Sequence, residues 1–453
     1  MLFIKNPALL IKKLIILFYI YMVLEGVLRK WILPDFQVQI YFLKDFFLVI
    51  IYFLALKYNF LFKTKYSKFF SIFIIIISLY GLIGYDFNLE GILSFFLGIR
   101  SYWLYAPLTL IIIHLFKQDD LIKFFEINLF FVFPYFLLTL IQAFSSDTSI
   151  INSGFNSIVF NPERPSGYFT YTTQNTFYFI FLCLCYFISL LNISKFSKKK
   201  IIYFIALNFM LISIMILLKS RAVYVFSLAI IIYSLFFLIF LNENYKIKIK
   251  KFIFILLVTI LSFFYAQKIF TNDYQYSFVR FEGGDTYSEL SVFKEYGDKH
   301  IYFSNLTVSE LCHKYSSLCR VFNEIYFFPE ISKATLFGKG IGAGTAAVSF
   351  LKKEKNFSLG ETENHRIVNE LGYVIGTLFV LVKFILVLII HILFLFKIKQ
   401  KANFGPMLVL VSVQLLIVPI TFSVSFVSFI FWFCFGFMFV ALNSHHKSEK
   451  NNL

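Results

Sequence analysis

The feature that most constrains this chain is a succession of apolar runs, each long enough to cross a bilayer as a helix, separated by short clusters of lysine. A transmembrane helix needs about 20 predominantly apolar residues. Such runs lie near residues 8–24, 39–56, 69–85, 91–115, 122–144, 168–192, 201–218, 222–241, 252–270, 372–396, 406–421 and 424–442. Of the 453 residues, 59% are hydrophobic and 15% charged, where a soluble domain carries about a quarter charged. A soluble globular fold, a disordered chain and a disulfide-built scaffold are therefore excluded. The runs predict an all-α polytopic membrane bundle of about twelve helices. Residues 1-270 hold helices one to nine, 271-371 form a large outer loop, and 372-453 hold the last three helices and a tail.

The net charge, 42 − 25 = +17, would suggest nucleic acid in a soluble protein. Its distribution argues otherwise. Lysines gather at Lys5, Lys12 and Lys13, at Lys57 to Lys68, at Lys117 and Lys123, at Lys195 to Lys200, at Lys246 to Lys251, at Lys397 to Lys401, and at Lys447 and Lys450. Each cluster lies two spans from the next, as the positive-inside rule predicts for cytoplasmic loops. The basicity is an orientation signal, with both termini inside and no nucleic-acid partner. No small-residue cleavage site follows the first span, which reads as a retained anchor.

The outside then receives a loop at 25–38, a loop at 145–167, the tight junction at 219–221 and the stretch 271–371, and a loop of that last length is usually functional. Only seven arginines stand among the 42 basic residues: Arg29, Arg100, Arg164, Arg221, Arg280, Arg320 and Arg366. All seven fall in outside segments or at outer span ends, while the cytoplasmic clusters use lysine alone. A guanidinium differs from an ammonium by its planar fork, which binds phosphate or carboxylate in two places. Pairing with outer Asp and Glu accounts for any single arginine. For all seven, an outward-facing site for a phosphate-bearing ligand is the better explanation.

Local contexts sharpen that reading. Arg164 sits in NPERPSGYF, where Pro162, Pro165 and Gly167 build a rigid turn before the next helix. Arg221 follows Ser220 at a helix N-terminus, a place that favours anions. LFGKGIGAGTAA alternates Gly338, Gly340, Gly342 and Gly344, so backbone N–H groups can approach a ligand closely. The run lacks a preceding strand and is no dinucleotide fingerprint. In ETENHRIVNELG, Glu363, Arg366 and Glu370 share one helix face at the entrance to the tenth span. They form either a structural pair at the membrane surface or a site in which Glu363 accepts a proton and Arg366 holds a phosphate.

Other charges read as structure. Glu25, Arg29 and Lys30 bracket a helix end after the first span, an ion pair anchoring that loop. Lys44 and Asp45 are placed to pair with each other, and Lys383 lies mid-span with no acidic partner evident. Asp119 and Asp120 read as a solvated helix start, and Cys183, Cys185 and Cys434 as small apolar residues.

At these residues the chain resembles a known family. EGVLRKWILP at 25–34, YFLKD at 41–45, RPSGYFTY at 164–171, SRA at 220–222, FVRF at 278–281, and LFGKGIGAGT running into ETENHRIVNELG look like the O-antigen polymerase/ligase-like membrane proteins. The resemblance is ordered and spans roughly residues 21 to 376. It implies a GT-C-like helix bundle in the bacterial inner membrane and a metal-independent, inverting glycosyl transfer without a cofactor. It also implies an undecaprenyl-pyrophosphate-linked oligosaccharide as donor, surrounding membrane lipid, and a flippase and chain-length regulator as partners. In such proteins outer arginines engage the pyrophosphate, and Arg164, Arg221, Arg320 and Arg366 match those motifs. Arg164, Arg221, Arg366 and Glu363 are thus the catalytic candidates. Arg280, Arg320, Gly340, Gly342, Glu361, His365 and Glu370 are the candidate substrate contacts. Some ligases carry a His near the start of this helix. Here His365 is offset beside the acidic pair, which leaves the general base open.

In the oxidising space outside such an envelope, Cys312 and Cys319 are either a small disulfide loop that fixes Arg320 or two free thiols. The resemblance points to a repeat-unit polymerase. The nearest rival is an O-antigen ligase, which moves the glycan to lipid A core in lipopolysaccharide assembly or to another acceptor. A flippase for the same lipids is a rival of another class. It would need charges deep within several spans and broken helices, whereas the sequence concentrates charge in the outer loops.

Overall fold

The computed structural model describes residues 6–146, 149–153, 164–193, 197–241, 245–275, 334–345, 348, 363–416, 421–422 and 424–443. Among them every regular element is helical. Ten helical stretches are long and apolar enough to cross a membrane: Pro7–Ile32, Pro34–Lys57, Leu89–Leu115, Gln118–Phe144, Thr172–Leu191, Lys198–Leu217, Arg221–Leu238, Tyr245–Ile269, Glu363–Phe396 and Ser425–Asn443. Two shorter apolar helices, Ser67–Leu82 and Ala402–Leu416, stand where the third and eleventh spans are expected. The protein is a polytopic helical bundle.

In chain order the helices are α1 (Pro7–Val27), α2 (Gln37–Lys57), α3 (Lys65–Leu82), α4 (Leu89–Trp103), α5 (Ala106–Leu115), α6 (Gln118–Leu129) and α7 (Val132–Phe144). They continue with α8 (Thr172–Leu191), α9 (Lys198–Leu217), α10 (Arg221–Leu238), α11 (Tyr245–Ile269), α12 (Glu363–Phe396), α13 (Gly405–Leu416) and α14 (Ser425–Asn443). Helices α8 and α14 are buried along nearly their whole length. Their sequences are apolar all round, the pattern of a helix enclosed by others. Around them, α8 packs on α6 and α10, and α14 on α5 and α13.

Side-chain contacts distinguish the two ends of the bundle. At one end Lys12 pairs with Asp120 at 2.6 Å, and Lys251, Lys248 and Lys397 donate to the carbonyls of Leu191, Ile239 and Leu442. Those carbonyls lie at the C-terminal ends of α8, α10 and α14, where a cation meets the negative end of the helix dipole. Lys12, Lys248, Lys251 and Lys397 of the sequence pattern therefore gather at one end, and the last three also cap helices there. At the opposite end Lys30 meets the turn before α8, Arg164 meets the end of α9, and Tyr80 meets the chain at Leu336.

Three departures from uninterrupted spans matter for the site. The fourth run is two helices, α4 and α5, parted at Leu104–Tyr105, with Pro107 in the first turn of α5. The fifth likewise parts into α6 and α7 at Phe130–Phe131. The third departure lies inside α12, at Gly372, whose φ is 76°. A Cβ there would stand 2.1 Å from the Leu336 carbonyl oxygen, so only glycine fits. The chain reverses at this residue. Asn364 and Lys383 are 19 residues apart yet hydrogen-bonded at 2.7 Å, where a straight helix would separate them by about 28 Å. Residues 363–371 thus form a short arm antiparallel to 373–396, and Gly376 lets the two backbones touch at Val368.

The arm corrects two expectations. Residues 363–371 are not the surface entrance to the tenth span but a helix folded back into the bundle. Charge is also less confined to the loops than the sequence suggested, since Lys44, Lys383, Glu363, Arg366 and Glu370 are all buried.

Candidate functional site

Three charged or polar constellations lie toward the end of the bundle opposite the lysines. The first is the turn 164–171. Gly167 has φ 57°, and its N–H donates to Gln142 Oε1 at 2.7 Å. Asn175 Nδ2 donates to the Pro165 carbonyl at 2.8 Å, and Lys30 Nζ donates to Ser166 Oγ and the Gly167 carbonyl at 3.0 and 2.9 Å. The missing side chain of Gly26 admits the Tyr168 carbonyl against α1. So fixed, the turn presents half-buried Arg164, whose Nε donates to the Leu218 carbonyl at 3.4 Å.

Leu218 caps the end of α9, and three residues later half-buried Arg221 opens α10. Lys219 between them adopts φ 49° and pairs with Asp273 at 2.8 Å. The tight junction and the proline-glycine turn, far apart in sequence, therefore bring Arg164 to the junction that Arg221 opens.

The second constellation is the folded-back arm. Arg366 Nη2 donates to Glu363 Oε1 at 2.7 Å, and its Nε lies 3.4 Å from Glu370 Oε1. The Phe422 N–H also donates to Glu363 Oε1, at 3.1 Å. Glu370 Oε2 accepts from Tyr102 OH at 2.5 Å and from the Gly342 N–H at 2.9 Å, and Oε1 accepts from the Gly344 N–H at 2.7 Å. The Gly340 N–H donates to the Glu370 carbonyl at 2.9 Å. Tyr85 adds a donor to the Ile341 carbonyl at 2.8 Å. Burial, and then Glu370 nearby, push the Tyr85 phenol well above its ordinary value and keep it a donor.

The expected sharing of one face by Glu363, Arg366 and Glu370 is present. The Gly340 and Gly342 N–H groups, expected to approach a ligand, both donate to Glu370 here. The glycine run is a strap bonded to the arm through the Glu370 carboxylate and through the backbone carbonyls of Asn369 and Glu370. Arg366 and Lys383 stand with Glu363 and Glu370, two cations with two carboxylates, so the formal charges cancel. His365 is half-buried on the same arm.

The third constellation surrounds Tyr41 on α2. Glu25 pairs with Arg29 at 3.0 Å, the expected loop anchor, and also with Lys44 at 3.1 Å. Arg100 grips Asp45 with Nε and Nη2 at 2.6 and 3.0 Å and donates to Tyr41 OH at 3.0 Å. Lys44 and Arg100 lie over the Tyr41 ring, 3.5 and 4.7 Å from its centroid. The expected Lys44–Asp45 pair is therefore replaced by two pairs to other helices. Neighbours in a helix point about 100° apart and do not face each other. Asp120 is not merely solvated either, since it binds Lys12 and the Lys117 N–H.

Phe422 and the start of α14 together join all three constellations. Phe422 touches Glu363, Ser425 Oγ bonds Tyr41 OH at 3.0 Å, and the Phe426 ring packs 4.5 Å from Phe169 of the turn. Sequence reasoning missed Tyr102, Asn175 and Gln142, polar residues inside apolar runs with no spacing to mark them, and gave Tyr41 no role within YFLKD. It also left Lys383 without a partner, which proves to be Asn364, with Glu363 close by. Arg280, Arg320, Glu361, Cys312 and Cys319 lie outside the described residues. No family model, curated protein or solved structure matches the chain.

Proposed function

We propose that the chain is a membrane glycosyltransferase that polymerises glycan repeat units. It moves a growing glycan from an undecaprenyl-pyrophosphate donor to the non-reducing sugar of another lipid-linked unit, with inversion and without a metal ion. An acceptor hydroxyl oxygen forms the new bond to the anomeric carbon as the carbon–oxygen bond to pyrophosphate breaks. The hydroxyl proton passes to water or to the departing pyrophosphate, which carries away the electron pair of the broken bond. Charge on that leaving group grows as the bond breaks, and fixed guanidinium groups are suited to stabilise it.

The observation that carries this reading is the meeting of Arg164, on a turn tied by Lys30, Gln142 and Asn175, with the junction opened by Arg221. Arg366 and Glu363 pair with each other in the folded-back arm. The reading places the lysine end in the cytoplasm of a bacterial cell and the arginines outside. A ligase uses the same donor chemistry with a different acceptor. A transporter is the reading of another class, favoured by the parted spans and the folded-back arm.

The test is the purified protein in nanodiscs with a defined lipid-linked repeat unit. A ladder of longer lipid-linked glycans supports polymerisation. A single transfer to an added acceptor supports the ligase, and movement of intact donor between leaflets without new bonds supports the transporter.

A further inference from the structure

We propose that Lys30 is a positioning residue for Arg164, its ammonium spanning from the end of the first helix to the Ser166–Gly167 peptide of the Arg164 turn. The inference rests on the reading of Arg164 given above and adds a residue to it. Lys30 is only 4% exposed. Its ammonium meets Ser166 Oγ at 3.0 Å, the Gly167 carbonyl at 2.9 Å and the face of Trp31 at 4.3 Å. Among the described residues it has no carboxylate partner. Glu25, five residues earlier on the same helix, instead takes Arg29 and Lys44.

A buried ammonium without a counter-charge is costly to a fold, and a neutral side chain would be easier to accommodate. The cost is offset by what the ammonium holds. Both of its acceptors lie in the turn, two and three residues from Arg164. Gln142 and Asn175 bind the same turn from the α7 and α8 sides, so Lys30 supplies the tie to the first helix. Without it the turn loses the bond nearest the outer end of α1, and Arg164 loses its fixed place against Leu218 and the start of α10.

The experiment compares wild type, Lys30→Met and Ser166→Ala in nanodiscs, the second variant removing one acceptor without altering the helix. Amide exchange in 164–171 should quicken on the order of tenfold in Lys30→Met and less in Ser166→Ala, the size expected for a charge-assisted hydrogen bond. Exchange in α8 and α9 should not change. Unchanged exchange of the turn in both variants, or equal quickening throughout the bundle, overturns the proposal. Binding of undecaprenyl pyrophosphate supplies the second readout. Lys30→Met should weaken it roughly tenfold in the wild type and not at all in an Arg164→Ala background, because residues acting through one another are not additive. Equal weakening in both backgrounds also overturns the proposal. A wild type that binds no pyrophosphate removes the functional reading, while the exchange result still decides whether Lys30 holds the turn.

Discussion

Replacing Glu370 with leucine tests how much of the hold on the glycine strap the carboxylate supplies beside the backbone bonds from Lys339 and Gly340. The substitution leaves the Gly342 N–H, the Gly344 N–H and Tyr102 OH without their acceptor and removes one of two carboxylates beside Arg366. Three buried donors left unsatisfied at about 1–3 kcal/mol each put the loss near 3 kcal/mol at the low end of the range. Arg366 keeps Glu363, so no wholly unpaired charge is created. Tyr102→Phe removes only one of the donors and should cost about 1 kcal/mol. Because both act on the same carboxylate, the double variant should lose less than the sum of the two. The assay is unfolding of the purified protein in mixed micelles as the fraction of denaturing detergent rises, followed by tryptophan fluorescence. A Glu370→Leu protein within about 1 kcal/mol of wild type, the range of an ordinary substitution, would show that the strap is held by other contacts.

Two further outcomes follow from the fold. Gly372→Ala places a methyl group 2.1 Å from the Leu336 oxygen at a backbone angle that alanine resists. It should cost more than about 2 kcal/mol and release the arm, seen as faster amide exchange at Ile367 and Val368. Wild-type exchange there would refute the reversal at Gly372. For orientation, a single cysteine at Phe87, exposed between α3 and α4, should react with a membrane-impermeant maleimide in intact cells. A cysteine at Lys199 should react only after permeabilisation, and the opposite pattern would invert the topology.

How far the sequence carries can be judged at particular residues. Apolar run length marks the ten stretches long enough to cross a membrane, and lysine spacing marks a shared lysine end, because both signals are one-dimensional. The expected start of the tenth span at 372 coincides with the reversal, yet the arm before it was unreadable. A nine-residue amphipathic stretch looks the same whether it continues a helix or folds back along it. Glycine alternation marked where backbone comes close, but not that Glu370 is what it approaches. The pairing of Lys44 with Glu25 and of Asp45 with Arg100 depends on which helices are neighbours, which no local pattern encodes.

The most direct measurement is the rate of glycan transfer from a defined lipid-linked repeat unit by Arg164→Lys and Arg221→Lys proteins in nanodiscs, with Arg29→Lys as control. Lysine keeps the charge and loses the fork. Removing one such contact to a developing charge costs about 3–4 kcal/mol, a factor of 100 to 1,000 in rate. Each of the two site variants should therefore fall at least a hundredfold while remaining folded, and Arg29→Lys should stay near wild type. Polymer made at the wild-type rate by both Arg164→Lys and Arg221→Lys would contradict the arginine site.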